Sequence, residues 1–170
     1  MIIFRDDDIS HLTAVNQFAE IHKLFRSRVI LHTIALIAKD INKNPALIEF
    51  INANNIDVQL HCWKHYDLNN DLKVTADDLK KGCDTIEKYF NHRPNVLYPP
   101  WNKTSKGLEE VAANLGLTVS ADKISLSQYI RHDGRFDDVV INFHSWAYPD
   151  VILLERGLDI YNRKRGIKLP

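Results

Sequence analysis

The chain has 170 residues, 45% of them hydrophobic and 26% charged, and its 22 Lys and Arg residues balance 22 Asp and Glu residues. This length suits one domain with a core large enough to fold without disulfide bonds. The zero net charge gives no basic field for nucleic acid, and no apolar run reaches the roughly 18 residues of a membrane span. We therefore expect neither a nucleic-acid nor a membrane partner.

The two cysteines indicate a reducing environment. Cys62 and Cys83 form neither a zinc-type cysteine pair nor a disulfide framework, which favours free thiols. The residues after Met1 lack the basic region and the long apolar core of a signal peptide. We expect a cytoplasmic protein, unless a leader has been removed from this sequence.

Short apolar runs alternate along the chain with amphipathic segments. Strands are predicted over residues 2–5, 29–38, 56–60, 96–98, 117–121 and 139–143. Helical spacing and end signals predict helices over residues 12–26, 44–54, 75–90 and 104–115, the third of them capped by Thr75. We expect the basic run from Arg163 to Arg165 to be a solvated end.

Strands that alternate with helices predict βαβ units and a largely parallel sheet. The predicted fold class is α/β, a distorted or incomplete (β/α) barrel, with a doubly wound open sheet as the alternative. No linker interrupts the pattern, so residues 1–170 are predicted to form a single domain. In both architectures the functional residues follow the carboxyl ends of the strands.

Four groups of polar residues follow predicted strands. They are Asp6 to Asp8, His61 to His65, Tyr98 to Asn102, and Phe143 to Trp146. Because parallel strands end at the same edge of a sheet, these groups should meet in one cleft. Their convergence is stronger evidence for a site than any one of them.

The histidine pair and the aspartates together predict a metal site. His61 and His65 are four residues apart, so one helical turn would place both rings on one face. Alone, such a pair is as often two solvent-facing histidines. Two imidazoles with a carboxylate, however, leave coordination positions open, as in catalytic zinc sites. Three consecutive carboxylates near a strand end also need a cation, which the metal and Arg5 would supply.

Two further residues have candidate chemical roles. His144 follows an apolar run, where burial lowers and a neighbouring carboxylate raises its pKa, which suits a general acid; the alternative is a core histidine. Trp101, with Asn102 beside it, is the first residue after Pro99-Pro100 with a backbone N–H for an oxyanion; the alternative is a rigid turn.

In this order the four groups resemble the motifs of the polysaccharide deacetylase family, the NodB homology domain. That family has an Asp-Asp motif, a His-Ser/Thr-x-x-His motif, an Arg-Pro-Pro-Tyr type motif and a late histidine. Here they read Asp7-Asp8, His61 to His65, Tyr98 to Trp101, and His144. The resemblance spans residues 2–148. It implies a metal-dependent hydrolase that removes an acetyl group from an N-acetylated sugar or polysaccharide.

The resemblance also implies residue roles. Asp7 would be the general base, and Asp8, His61 and His65 would bind one divalent metal ion. We expect this ion to be zinc. Which two of the three aspartates match the Asp-Asp motif stays open. Asp6 as the base and Asp7 as the ligand are the alternative pair. Regular strand alternation would instead put Asp6 and Asp8 on one side of the strand.

The other implied roles concern the acetyl group and the leaving amine. Trp101 and the metal would hold the oxyanion, and His144 would protonate the amine. Asp122, at the end of a predicted strand, would orient His144.

Four departures from the family pattern surround the metal ligands. They are Cys62 for Ser or Thr, Tyr98 for Arg, Ile9 for Gly, and Asn142 for Leu. Because they alter the acetyl pocket, two alternatives remain. One is a hydrolase of a small non-carbohydrate amide or imide. The other is an inactive carbohydrate-binding module whose stacking platforms are Trp63, Trp101 and Trp146.

Overall fold

The computed structural model describes residues 1–167, apart from the side chains at positions 148 and 149, and shows one curled sheet of parallel strands. The strands are β1 (Ile2–Ile9), β2 (Thr33–Ile37), β3 (Asp57–Cys62), β4 (Val96–Leu97), β5 (Thr118–Val119), β6 (Ile124–Ser125) and β7 (Val139–Phe143). Their order is β5-β4-β3-β2-β1-β7-β6, which leaves β5 and β6 at the two edges of a half-barrel. The predicted incomplete barrel is confirmed. Strand β6 was missed because two residues are too few to show a pattern.

Helices connect most of the strands and pack against the sheet. They are α1 (Val15–Ser27), α2 (Pro45–Ala53), α3 (Leu72–Phe90), α4 (Lys106–Ala113), α5 (Leu126–Arg131) and α6 (Tyr148–Lys164). The first four were predicted, but helix α3 begins earlier than expected. Its cap is Asp71, whose carboxylate accepts the backbone N–H groups of Lys73 and Val74. Thr75 is instead buried within the helix, and its hydroxyl donates to the Leu68 carbonyl.

The carboxyl-terminal segment is more ordered than its sequence suggested. The basic run from Arg163 to Arg165 is exposed, as predicted. The residues before it, however, form α6, whose Leu154 and Leu158 are fully buried against the sheet. No helix within residues 1–167 is long and apolar enough to cross a membrane.

The two faces of the sheet differ in chemistry. Phe4, Ile34 and Leu60 are buried under the helices, and each contributes about 1.5–3 kcal/mol by leaving water. Successive side chains of a strand alternate between faces, so Arg5 and His61 point into the concave interior. The apolar layer thus holds the strands together, while polar groups at their carboxyl ends share one cleft.

Candidate metal centre

A bulge at the end of β1 aims the side chain of Asp8. The pairing of β1 with β2 shifts register between Asp6 and Ile9, so β1 contains one extra residue there. Asp8 has a φ of 64°, in the left-handed region that an aspartate adopts more readily than most residues. A bulge of this kind breaks strand alternation and turns a side chain in a new direction.

The three aspartates consequently face three different partners. The Oδ1 atom of buried Asp6 accepts the backbone N–H of Ser145 at 2.8 Å. Asp7 is paired with the guanidinium of Arg5, at 2.5 Å from Nε and 2.6 Å from Nη2. Asp8 turns toward the histidines. Arg5 therefore compensates Asp7, and simple alternation along the strand does not describe the triplet.

Asp8 lies between His61 and His65. Its Oδ1 is 3.1 Å from His61 Nε2 and 3.3 Å from His65 Nε2, and one donor atom from each of the three residues lies within 4.8 Å of the others. The prediction that one helical turn presents both histidines is wrong. His61 lies in β3 and His65 in the bend after it, and the bend brings their ring centroids to 5.2 Å.

The hydrogen bond made by His61 Nδ1 indicates that this donor set fits a cation. His61 Nδ1 is 2.5 Å from the carbonyl oxygen of Tyr98, which can only accept, so Nδ1 carries a proton. In the neutral ring, Nε2 then presents its lone pair to Asp8 Oδ1. Neither atom has a hydrogen-bonding partner of sound geometry among the described side chains. Two acceptors at this distance repel unless a cation joins them, and a divalent metal ion meets that need.

The charges around the centre shift its ionisation. Burial opposes the charged form of Asp8, but the neighbouring His61, His65 and His144 outweigh it and lower the pKa of Asp8. Burial also lowers the pKa of His65. Metal ions bind to ionised carboxylates and to neutral histidines, and these two shifts favour both forms.

The carboxylate beside His144 belongs to Asp150. Its Oδ2 is 3.3 Å from His144 Nδ1, and His144 Nε2 faces Asp8 Oδ2 at 3.7 Å. Burial alone would lower the pKa of His144, but Asp150, Asp7 and Asp8 together raise it.

The predicted partner of His144, Asp122, does not take this role. It is exposed and lines a separate cavity with Ile3 and Val139, toward the amino ends of their strands. Asp150 was missed because the sequence did not reveal α6, in whose first turn it lies. An acidic residue soon after a histidine at a strand end was the available signal.

Arg5 is a fully buried cation near the cleft. Its side chain has no exposed surface; besides Asp7 it donates to Asn102 Oδ1 at 3.0 Å and lies over the Tyr98 ring at 4.4 Å. Asn102, predicted to contact substrate, therefore contacts Arg5 with its carbonyl oxygen. A buried cation paired on several sides holds the Asp7 carboxylate in one orientation.

Trp101 and Asn102 form a strained turn after Pro99-Pro100. Their φ angles are 53° and 55°, so two successive residues that are not glycine adopt the left-handed conformation. Such strain is found at functional sites, where the surrounding structure enforces it. The turn places the exposed Trp101 ring 4.7 Å from that of His65, edge to face.

An open cavity of about 240 Å³ adjoins Asp8. It provides room for a small substituent of a substrate beside the donor set. The residues that line it are Asp8, Ser10, Leu12, Thr13, Ala14, Gln17, Phe18, Ser145 and Trp146.

Comparison with known proteins identifies the family. The sequence pattern of the polysaccharide deacetylase family matches residues 3–120. The match covers more than half of the chain, so the chain belongs to the polysaccharide deacetylase family. No match was found among curated protein sequences.

Solved structures support the fold. A family 4 carbohydrate esterase from Streptomyces lividans, in complex with acetate, superposes with a TM-score of 0.81 at 15% identity, over 98% of this chain and 89% of the esterase. For the peptidoglycan deacetylase PdaC from Bacillus subtilis the TM-score is 0.77 at 15% identity, over 99% of this chain and 85% of that one. These TM-scores establish a shared fold.

A third similar structure is a pseudoenzyme of the CE4 family from Bacillus anthracis. Its TM-score is 0.82 at 13% identity, over 99% of this chain and 62% of that chain. The present chain thus spans less than two thirds of the pseudoenzyme's length. The same fold therefore occurs in active and in inactive proteins.

Proposed function

We propose that this chain is a metal-dependent hydrolase that removes an acetyl group from an N-acetylated sugar or polysaccharide. The observation that carries the proposal is the convergence in one cleft of the Asp8, His61 and His65 donor set with the His144–Asp150 pair, His144 Nε2 being 3.7 Å from Asp8 Oδ2. Family membership and the similarity to a peptidoglycan deacetylase support this class of reaction.

Asp8, His61 and His65 would hold the ion. When bound, it would supply the positive charge that polarises the amide carbonyl and makes water more acidic. Two imidazoles and one carboxylate leave positions for substrate and water, unlike the closed ligand set of a structural zinc site. The family relation and the donor chemistry favour a divalent ion such as zinc.

Three other groups of the chain would carry the proton transfers and charge stabilisation. Asp7, oriented by Arg5, would accept a proton from the attacking water. His144 would give a proton to the departing amine nitrogen, for which a raised pKa is suited. The backbone N–H of Trp101 would donate to the carbonyl oxygen as that oxygen gains negative charge.

Exposed aromatic rings favour a carbohydrate over a small amide. Trp101 and Trp146 are 57% and 62% exposed, although large aromatic side chains usually bury most of their surface. Trp101 contacts the His65 ring, and the Trp146 ring centroid is 5.0 Å from that of His144. Rings on both sides of the centre would stack on the apolar faces of sugar units.

The decisive experiment compares substrates on the zinc-loaded protein. Chitooligosaccharides and small amides are incubated separately with the wild type and with His61→Ala, and released acetate, ammonia and free amine are measured. We expect acetate from the chitooligosaccharides with the wild type only. Product released only from the small amides would identify a hydrolase of small non-carbohydrate amides. Chitooligosaccharide binding without any release would identify an inactive binding module.

A further inference from the structure

Asp6 lies under the cleft without facing it. It is fully buried and pairs in the sheet with Phe143, the residue before His144. Its Oδ1 accepts the N–H of Ser145, the residue after His144, at 2.8 Å. The buried Asp6 carboxylate is therefore bonded to the main chain next to His144.

The peptide groups around His144 are held on every side. The His144 N–H donates to Asp150 at 2.9 Å, and its carbonyl accepts from Ala147 at 2.9 Å. The Ser145 carbonyl accepts from Gln17 Nε2 at 2.7 Å. Among these contacts the bond from Ser145 to Asp6 is fully buried, so water cannot substitute for it if it is lost.

A buried histidine, His32, lies beside the second carboxylate oxygen of Asp6. The second oxygen, Oδ2, is 3.6 Å from His32 Nε2. The His32 ring stacks on Phe25, with centroids 4.3 Å apart and planes within 3°. Its other nitrogen lies 3.3 Å from His22 Nδ1. The carboxylate is thus confined between the packed ring and the Ser145 amide.

We propose that Asp6 is a positioning residue for His144: by accepting the Ser145 N–H, it sets where the imidazole stands relative to Asp8. This inference rests on the proposed function, in which His144 donates a proton. Asp6 and Asp8 belong to the same strand, so a single segment determines the location of both a metal ligand and the proton donor. Each of the three consecutive aspartates then has a separate task.

Hydrogen exchange of the Ser145 amide tests the contact without any turnover. Measured by NMR in D₂O, Ser145 should exchange slowly in the wild type and in Asp6→Asn, whose side-chain oxygen still accepts. In Asp6→Ala it should exchange about 10-fold faster or more, because a buried hydrogen bond to a carboxylate is lost. Equal exchange in wild type and Asp6→Ala would overturn the proposal. If the alanine variant does not fold, Asp6→Val, which fills more of the space, replaces it.

A double-mutant cycle tests the consequence for turnover. Asp6→Ala should lower kcat about 100-fold, as expected for a small misplacement of a reacting group, with KM and zinc content unchanged. Asp6→Asn should restore most of this rate. In a His144→Ala background, Asp6→Ala should have no further effect, because it acts through His144.

The outcomes separate this inference from the proposed function. Independent, multiplicative losses in the cycle would mean that Asp6 does not act through His144. A wild-type protein that releases no acetate would refute the proposed function, while the Ser145 exchange rates would still decide whether Asp6 holds the loop.

Discussion

One carboxylate oxygen of Asp150 contacts both the main chain and the ring of His144. Its Oδ2 is 2.9 Å from the His144 backbone nitrogen and 3.3 Å from Nδ1. Because Nδ1 faces this oxygen, Nε2 is directed toward Asp8. A histidine oriented in this way has one nitrogen free for exchange of a proton with substrate.

The first prediction concerns this pair. His144→Ala should keep the fold and bound zinc and lose about 10²–10⁴-fold in rate, the usual contribution of a general acid or base. Asp150→Asn should lose about 10–100-fold, because an amide still accepts the two bonds but carries no charge. Acetate release and zinc content are measured for both. Asp122→Asn is the matched control, and a rate loss there equal to that of Asp150→Asn would contradict the assignment.

The second prediction concerns the ligands. His61→Ala and His65→Ala should each lose stoichiometric zinc, because two remaining ligands bind it weakly. Elemental analysis of the purified variants measures the zinc-to-protein ratio. The exposed His132, directly after α5, offers a control substitution to alanine that should retain the metal. Full retention by both ligand variants would rule out this centre.

The third prediction separates Asp7 from Asp8. Asp7→Asn should bind zinc normally and be almost inactive, since an amide cannot accept the proton of water. Asp8→Asn should first lose zinc affinity and, as a consequence, activity. Zinc titration and acetate release on the same preparations distinguish the two. Zinc loss in Asp7→Asn, with normal zinc in Asp8→Asn, would mean that Asp7 is the metal ligand and Asp8 the general base.

The fourth prediction concerns the buried ion pair beneath the cleft. Arg5→Met should lower the free energy of unfolding by about 3–5 kcal/mol, because the Asp7 carboxylate is left buried without its cation. Adding Asp7→Asn to this variant should recover much of the loss, since the unpaired charge is removed. Urea unfolding at neutral pH measures both. Strictly additive losses would show that the two side chains are not coupled.

The fifth prediction concerns pH. Burial, followed by the charges of His32 and Arg26, lowers the pKa of His22 from 6.5 to about 4 in the folded protein. Between these values the unfolded chain binds a proton that the folded chain does not, so stability should fall as the pH drops through this window. The contribution of His22 is as much as about 3 kcal/mol.

Urea unfolding at pH 4.5 and 7 measures this effect. A His22→Phe variant should lose less stability between the two conditions, because the ring no longer titrates. The His132→Ala variant serves as the control and should follow the wild type. An unchanged pH dependence in His22→Phe would assign the effect to another group.

The sequence by itself determined the α/β class, the order of the first four helices and the residues at the strand ends. These follow from local properties, because apolar periodicity, helix caps and turn residues can each be recognised within a short segment of the chain. The order of strands in a parallel sheet then places Asp8, His61 and His144 at the same edge. The proximity of these three residues was therefore predictable from the sequence alone.

Only the tertiary structure decided how these residues divide their tasks. Strand alternation cannot assign Asp6, Asp7 and Asp8, because a bulge at Asp8 breaks the regular period at that point. Nor can it pair His144 with Asp150 instead of Asp122, because that choice depends on where α6 packs against the sheet. Direction and pairing of side chains are set by contacts between segments distant along the chain, and such contacts leave no local pattern in the sequence.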